Sequence, residues 1–440
     1  AFGDAALNAV TVLAGNGSGA FPTSTSFPAG SEPDYLGFGD FNNDGILDLA
    51  VLNTGGGIVS ILYGQGSGLL GPPVAYAAAN GPTKFAIADF NGDSRFDIAL
   101  QDMNTGNLEF LFNAGGTAFL APRAYIANPG PAIAAAGDFN GDGHADFVLG
   151  SRQSESLLLF LGAGGGAFYA SLNVDLPSGA TPTAIAAADF DKDGKQDLLI
   201  GTTQGLYLAR GSDNGFGVPQ EASLSGGIAT ASPFGIVVAD FNGDGVPDFA
   251  TLSGSTTGGA TVSVYTGNGD GSFTSAFTSN YTSVISSTAI GAPDLNGDGK
   301  ADLVVLDAGG YNPSTAANQA GAINVLLNTS SGTAFADPVL YSASTSPYLI
   351  TYADFNKDGK LDIAVVTFDG QGDPSVALLT GDGAGKLNAA TFTAIDRTPQ
   401  SMASTDFNGD GSPDIVVSTV SGLNVLINDG AGGFHTPAQL

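Results

Sequence analysis

Nine residues, Asp138-Phe139-Asn140-Gly141-Asp142-Gly143-His144-Ala145-Asp146, constrain this chain more than any other feature, because they recur eight times. The copies open at Asp40, Asp89, Asp138, Asp189, Asp240, Asp294, Asp354 and Asp406, at intervals of 49, 49, 51, 51, 54, 60 and 52 residues. A period near 50 signals a repeat architecture, in which each repeat is one supersecondary unit.

Within each copy the oxygen-bearing side chains fall at positions 1, 3, 5 and 9, and position 6 is glycine in all but one. Alternate residues of a tight loop turn toward one centre, and the glycine allows the sharp turn a Cβ would obstruct. A hard dication such as Ca²⁺ takes about 6–8 oxygens. Carboxylates, an amide oxygen, the position-7 backbone carbonyl and a water would supply them. The candidate ligands are Asp40, Asn42, Asp44, Ile46 and Asp48 in the first copy and Asp89, Asn91, Asp93, Arg95 and Asp97 in the second. The third has Asp138, Asn140, Asp142, His144 and Asp146, and the fourth Asp189, Asp191, Asp193, Lys195 and Asp197. The fifth has Asp240, Asn242, Asp244, Val246 and Asp248, and the sixth Asp294, Asn296, Asp298, Lys300 and Asp302. The seventh has Asp354, Asn356, Asp358, Lys360 and Asp362, and the eighth Asp406, Asn408, Asp410, Ser412 and Asp414. Ile46, Arg95, His144, Lys195, Val246, Lys300, Lys360 and Ser412 enter through their backbone carbonyls.

Sulfur and imidazole donors are absent from the pattern, which argues against zinc and copper. Mg²⁺ prefers a near-ideal octahedron and keeps its waters, so up to eight Ca²⁺ ions are the expectation. The loop matches an EF-hand at positions 1, 3, 5 and 6 and then departs, closing on Asp at position 9 with strand-like residues directly behind it. Asp and Gly are also ordinary turn formers, but a turn needs no acid at position 9, and all eight copies have one. The second copy is the weakest, with Ser94 for glycine and Arg95 behind it; the fourth, with the extra acid Asp191, is the richest in charge.

Each repeat reads as four short strands. A small-residue run such as Ala184-Ile-Ala-Ala-Ala precedes the loop, and an apolar run such as Asp302-Leu-Val-Val-Leu leaves it. A third strand such as Ile323-Asn-Val-Leu-Leu327 follows, then a Gly-rich hairpin and a more polar fourth strand such as Phe335–Tyr341. No helical period persists. Short, evenly spaced strands with turn signals mean an all-β chain. Four antiparallel strands per repeat, repeated radially, give a β-propeller over residues 1–440, eight-bladed, or seven-bladed with an extra repeat. The position-2 aromatic should point away from the metal and pack between blades.

Residues 1–39 form a partial repeat, with 8–28 read as third and fourth strands. The last repeat already runs to Leu440. Either these N-terminal strands replace the last ones, or a half-blade remains over and docks on a neighbouring subunit by strand addition, giving a homo-oligomer or filament.

The loops, with their Gly-rich hairpins, resemble the FG-GAP/VCBS repeat family, which includes the propeller of integrin α subunits and many secreted bacterial proteins. The resemblance covers about residues 8–440. It implies a propeller with calcium at the turn between a blade's first two strands, and it fixes no ligand.

Net charge is −30, from 42 acids against 12 bases. More than half of the acids sit in the eight loops, so the charge is ligand charge, and without an ion it should loosen them. No basic patch exists for nucleic acid. No apolar run of 18 residues suggests a membrane span, and no signal peptide is visible. Cysteine is absent, so disulfides say nothing about compartment. Weak Ca²⁺ loops suit the extracellular space, secreted or at the cell surface, where the ion is plentiful.

Catalysis finds little support. The two histidines, His144 and His435, sit in no nucleophile–base arrangement. Asp307, and Asp369 with Asp373, read as solvated loop acids, and the Gly-rich hairpins lack the Gly-Lys-Ser/Thr ending of a phosphate loop. Two classes of function remain. One is a non-enzymatic module for adhesion, surface structure or self-assembly with a protein or glycan partner. The other is a lectin-like or polysaccharide-lyase-like propeller, which the absence of Trp and the scarcity of bases disfavour. Asn16, Asn280 and Asn328 stand in Asn-x-Ser/Thr contexts.

Overall fold

The computed structural model describes residues 2–14, 23–66, 68–78, 82–89, 93–102, 108–125, 131–144, 146–151, 154–163, 168–169, 171–225, 232–254, 260–281, 287–312, 317–330, 334–368, 372–396, 399–406, 411–419, 422–434 and 438–439. All its regular structure is β, in successive antiparallel blade sheets of the propeller class.

The first sheet holds Phe2–Asp4, Ala9–Ala14 and Thr23–Pro28. The second holds Pro33–Gly39, Asp48–Asn53, Ile58–Leu62 and Val74–Ala77; the third Pro82–Ala88, Asp97–Asp102, Leu108–Leu111 and Arg123–Tyr125. The fourth holds Pro131–Gly137, Asp146–Ser151, Ser156–Phe160 and Leu172–Asp175; the fifth Pro182–Ala188, Asp197–Thr202, Gly205–Ala209 and Gln220–Glu221. The sixth holds Pro233–Ala239, Asp248–Gly254, Ala260–Gly267 and Ser272–Tyr281, with Ser223–Ser225 added parallel to its last strand. The seventh holds Ser287–Gly291, Leu303–Asp307, Ala322–Leu326 and Val339–Ser342; the eighth Thr345–Ala353, Asp362–Phe368, Pro374–Leu379 and Thr391–Ala394. The ninth holds Pro399–Thr405, Asp414–Thr419, Gly422–Leu426 and Ala438–Gln439.

This corrects the reading of eight blades with four strands each, and that of seven plus an extra repeat. Among the described residues nine blade sheets are present, of three, four or five strands, with two-stranded hairpins between some third and fourth strands. The extra sheet comes from the N-terminal residues. Phe2–Asp4 pairs with Ala9–Thr11, and Ala9–Ala14 pairs with Thr23–Pro28, so these residues form a sheet of their own. The ninth sheet takes its fourth strand from Ala438–Gln439, which pair with Asn424 and Val425. The N-terminal strands therefore do not stand in for the last ones.

The chain falls into two compact units. One comprises Ala1–Pro182 with Gly194–Asp197 and Ala209–Pro219; the other comprises Thr183–Asp193, Leu198–Leu208 and Gln220–Leu440. In each, the core lies between successive sheets. In the first unit, Phe41, Leu52, Val59 and Ile61 of the second sheet pack on Phe85, Ile98, Leu100 and Leu111 of the third. Val10 and Ala29 pack on Leu49, Val51 and Leu62, which anchors the N-terminal sheet to the second. In the second unit, Val304, Leu306, Ile323 and Val325 of the seventh sheet meet Ile363, Val365, Ala377 and Leu379 of the eighth. The second strands are covered on both faces, as Asp48–Asn53 and Asp197–Thr202 show, which is why their apolar runs do not alternate. The fourth strands are largely exposed, as at Val74–Ala77 and Thr391–Ala394.

Proline opens the first strand in six sheets, at Pro33, Pro82, Pro131, Pro182, Pro233 and Pro399. A strand's first residue tolerates the missing N–H. The small residues that follow are needed for close approach. A Cβ at Gly37 would strike Phe85 and Ile87 of the next first strand, and one at Gly291 would meet the Tyr352 hydroxyl.

Candidate metal centres

The eight acidic loops connect first to second strands. The last residue of the first strand pairs with the position-9 aspartate in most of them, as Gly39 with Asp48, Gly137 with Asp146, Ala239 with Asp248 and Ala353 with Asp362, while in the sixth the pairing stops at Gly291 with Val304. The position-6 glycines hold φ near +80°, for example Gly45 at 82°, Gly143 at 83° and Gly299 at 84°. Only glycine takes that conformation at no steric cost.

The position-1 aspartate organises the turn. Asp138 Oδ1 accepts from the N–H groups of Gly141 (2.8 Å) and Asp142 (3.1 Å), and its Oδ2 accepts from Gly143 N (2.9 Å). Asp40, Asp240, Asp294 and Asp354 accept in the same way from positions 5 and 6. Asp406 accepts from Gly411 N. Position 5 receives the position-7 N–H, as Asp44 from Ile46, Asp142 from His144, Asp244 from Val246, Asp298 from Lys300 and Asp358 from Lys360. Its second oxygen faces the position-3 amide, with Nδ2 of Asn42, Asn140 and Asn242 each 2.8 Å away, and Nδ2 of Asn296 and Asn356 each 3.3 Å away. Asn91, Asn408 and Asp410 lie outside the described residues.

The position-9 aspartates are a different kind of group. Asp48, Asp97, Asp146, Asp197, Asp248, Asp302, Asp362 and Asp414 are all buried. Oδ2 of Asp48, Asp146, Asp248, Asp302 and Asp362 accepts the position-2 N–H at 2.8–2.9 Å. In each of the eight loop-bearing repeats Oδ1 accepts a second N–H, from a residue at or just past the end of the third strand: Gly64, Asn113, Gly162, Gly211, Gly267, Asn328, Gly381 or Asn428. One carboxylate therefore fixes the loop to the far hairpin of its own sheet. Burial pushes the carboxyls of Asp248 and Asp302 up from their ordinary value, against the pull of the N–H donors, to about 6. Asp48, Asp146 and Asp362 are raised for the same reason, and the neighbouring loop acids add to the rise. Oδ2 of Asp248 also accepts from Asn242 N at 3.1 Å, so there it is Oδ1, with one N–H from Gly267, that keeps a lone pair to ligate a cation.

In the fourth loop, ligand oxygens of Asp189, Asp191 and Asp197 lie within 4.8 Å of one another, close enough to hold a metal ion. This is the loop with Asp rather than Asn at position 3. The other loops put a neutral amide there, so they gather fewer carboxylates around the same turn. The all-oxygen donor set suits a hard dication. Lys195 of this loop pairs with Asp213 at 3.3 Å.

The position-2 side chains pack between sheets. Phe41, Phe139, Phe190, Phe241, Leu295 and Phe355 are buried, and Phe90 and Phe407 lie outside the described residues. Each aromatic meets the phenylalanine of the next sheet's hairpin: Phe41 with Phe119 (5.7 Å), Phe139 with Phe216 (4.7 Å), Phe190 with Phe273 (5.3 Å), Phe241 with Phe335 (5.9 Å) and Phe355 with Phe434 (5.8 Å). Such burial stabilises by about 1.5–3 kcal/mol per ring.

Three residues that sequence reasoning passed over tie neighbouring repeats together. Nδ2 of Asn113, Asn328 and Asn428 donates to the carbonyl oxygens of Phe41, Phe241 and Phe355, the position-2 residues of the preceding repeat, at 2.7, 2.7 and 2.6 Å. The signal was an Asn in place of Gly just past the third strand. Asn328 was read as a glycosylation context, but its buried amide is committed to these bonds. Asn16 lies outside the described residues. Asp307 is not a solvated acid: it is buried and accepts from Gly309 N at 2.9 Å. Asp369 and His435 lie outside the described residues.

The profile of the FG-GAP-like repeat matches residues 2–51, 40–100, 90–149, 138–200, 189–251, 252–305 and 354–417. The chain belongs to the FG-GAP-like repeat family. The first match begins at residue 2, in accord with a sheet built by the N-terminal residues. No curated protein matches the chain. Among solved structures, Saccharomyces cerevisiae Sqt1 aligns at 9% identity over 93% of this chain and 97% of its own, with a TM-score of 0.53. An Agrocybe aegerita lectin that recognises non-reducing terminal N-acetylglucosamine aligns at 19% identity over 78% of this chain and 87% of its own, TM-score 0.48. The V. cholerae biofilm matrix protein Bap1 aligns at 15% identity over 94% and 81%, TM-score 0.40. At these identities the likeness to Sqt1 speaks for the fold and nothing further. Among the described residues no helix is long and apolar enough to cross a membrane.

Proposed function

We propose that this FG-GAP-like propeller is a binding and structural module, not an enzyme, and that its acidic loops take Ca²⁺ as a folding ligand. The observation that carries this reading is the buried position-9 aspartate, held by two backbone N–H groups in repeat after repeat. A carboxylate kept out of water beside further acids is stabilised when a dication shares its charge. The hydrogen bonds it accepts pass that stabilisation into the sheet. The loop residues would bind the ion through positions 1, 3, 5 and 9, which leaves them no catalytic role. Loops of this type fill where calcium is plentiful, so the module works outside the cell, in adhesion, surface structure or self-assembly with a protein or glycan partner.

Thermal unfolding with excess Ca²⁺ and with chelator tests the reading. The expected result is a melting temperature higher by at least 10 °C with Ca²⁺, and equal temperatures in the two conditions would refute it.

A second reading, carbohydrate binding, draws on a groove between the fourth strands of the seventh and eighth sheets. Leu340, Tyr341, Ser342, Leu379, Asn388 and Phe392 line a space of about 360 Å³. An aromatic face beside an amide suits a sugar ring. Sugar binding on a glycan array, lost in Phe392→Ala, would favour this reading over the first.

A further inference from the structure

We propose that the second acidic loop has exchanged its metal ion for the guanidinium of Arg95, and so holds its shape without Ca²⁺. The proposal rests on the reading of the other loops as calcium sites.

The described residues of this loop keep the hydrogen bonds of the other turns. Asp89 accepts from Asp93 N at 3.1 Å and from Ser94 N at 2.7 Å, as the other position-1 aspartates do at positions 5 and 6. Asp97 is buried and takes the N–H of Asn113 at 2.8 Å. Two things differ. Position 6 is Ser94, held at φ 66° where the other loops have glycine. Position 7 is Arg95, whose Nη2 donates to Asp93 Oδ2 at 2.9 Å while its backbone N donates to Asp93 Oδ1 at 2.9 Å. Both oxygens of the position-5 carboxylate are thus taken by a single residue, one of them by a positive charge.

In the first, third and fifth loops, whose position 7 is uncharged or carries His144, that oxygen faces only the neutral position-3 amide, which can rotate away and cede it to an ion. A guanidinium cannot lose its charge, and a dication brought to the same carboxylate would be repelled by it. Arg95 is also held in place. It is partly buried, its Nε is enclosed with no hydrogen-bond partner, and its guanidinium packs over Gly115 of the hairpin that follows. In the seventh loop Lys360 likewise reaches Asp358, at 3.4 Å, and its stem packs over Gly383 of the hairpin, but that loop keeps Gly359 at position 6 and carries an ammonium in place of the planar fork. Only in the second loop do a fixed cation and a substituted glycine coincide among the described residues. The result is a repeat whose turn is closed by a covalently attached charge.

Native mass spectrometry of the full chain, titrated with Ca²⁺, tests this through the number of ions bound. In the unaltered chain, Asp89→Asn should leave the ion count unchanged, whereas Asp240→Asn should lower it by one. The double variant Ser94→Gly/Arg95→Ile, which copies position 7 of the first loop, should bind one ion more than the parent. Arg95→Lys, which keeps a charge, should gain none. Loss of one ion in Asp89→Asn would overturn the proposal, as would a double variant that folds and gains none. Should the double variant fail to fold, the Asp89→Asn count still decides. A chain that binds no Ca²⁺ at all would instead refute the calcium reading of every loop.

Discussion

Asn113 Nδ2 donates to the carbonyl oxygen of Phe41, 72 residues earlier, at 2.7 Å, and to the carbonyl oxygen of Phe96 in its own repeat at 3.2 Å. One amide thereby holds two acidic loops at once, and Asn328 and Asn428 repeat the arrangement. Replacing Asn113 or Asn428 by Ala leaves a buried carbonyl without its donor. A cost of about 1–3 kcal/mol follows for each, read from urea denaturation. The reverse exchange is worse. A Cβ at Gly381 would run into the carbonyl oxygen of Leu361, so Gly381→Asn should lower stability by more than Asn428→Gly does.

Positions 1 and 9 of a loop should separate cleanly on substitution. Asp302 is buried and holds the N–H groups of Leu295 and Asn328. Asp302→Asn turns an NH₂ toward a backbone donor, and the loss of about 2–4 kcal/mol should be present with and without Ca²⁺. Asp294→Asn removes a loop charge but keeps an oxygen acceptor. It should cost little in chelator and should reduce the gain in melting temperature on adding Ca²⁺.

The raised carboxyls set a pH dependence for the metal-free chain. The folded-state values of Asp248 and Asp302 are about 6, above the ordinary 3.8. The folded chain therefore keeps protons that the unfolded chain has released. In chelator, stability should fall as pH rises from about 4 to about 6 and level off above that. With saturating Ca²⁺ the trend should reverse, since ligation requires the ionised form. Denaturation midpoints at pH 4.5 and 6.5, with and without the ion, check both signs.

Tyr352 carries a hydroxyl enclosed with no hydrogen-bond partner, packed against Gly291 of the preceding sheet. Burial also holds its phenol far above the ordinary range. Tyr352→Phe should raise stability by about 1 kcal/mol, measured by thermal or urea unfolding.

The acidic loops, the strand that leaves each, and the inward packing of the position-2 phenylalanines were all legible, because each depends on a local pattern repeated in register. The number of blades was not. Phe2–Asp4 is three residues long, too short to show any period, and its strand character comes from pairing with Ala9–Thr11. The role of the position-9 aspartate was legible only in part. Its oxygen count pointed to a cation, but its bond to the hairpin spans 14 to 26 residues, across loops of different length. Asp307 misled for a similar reason: it stands at a strand end, where an acid turns back to cap Gly309 and is covered by its sheet.

Ser223–Ser225 runs parallel to Ser272–Thr274 at the outer margin of the sixth sheet. Backbone donors and acceptors that would otherwise point outward there are already engaged. A foreign extended peptide, or the rim of another copy, cannot pair with Ser272–Thr274 there; strand annealing on this blade would have to use the short outer edge of Ser223–Ser225 or the stretch from Ser275 onward.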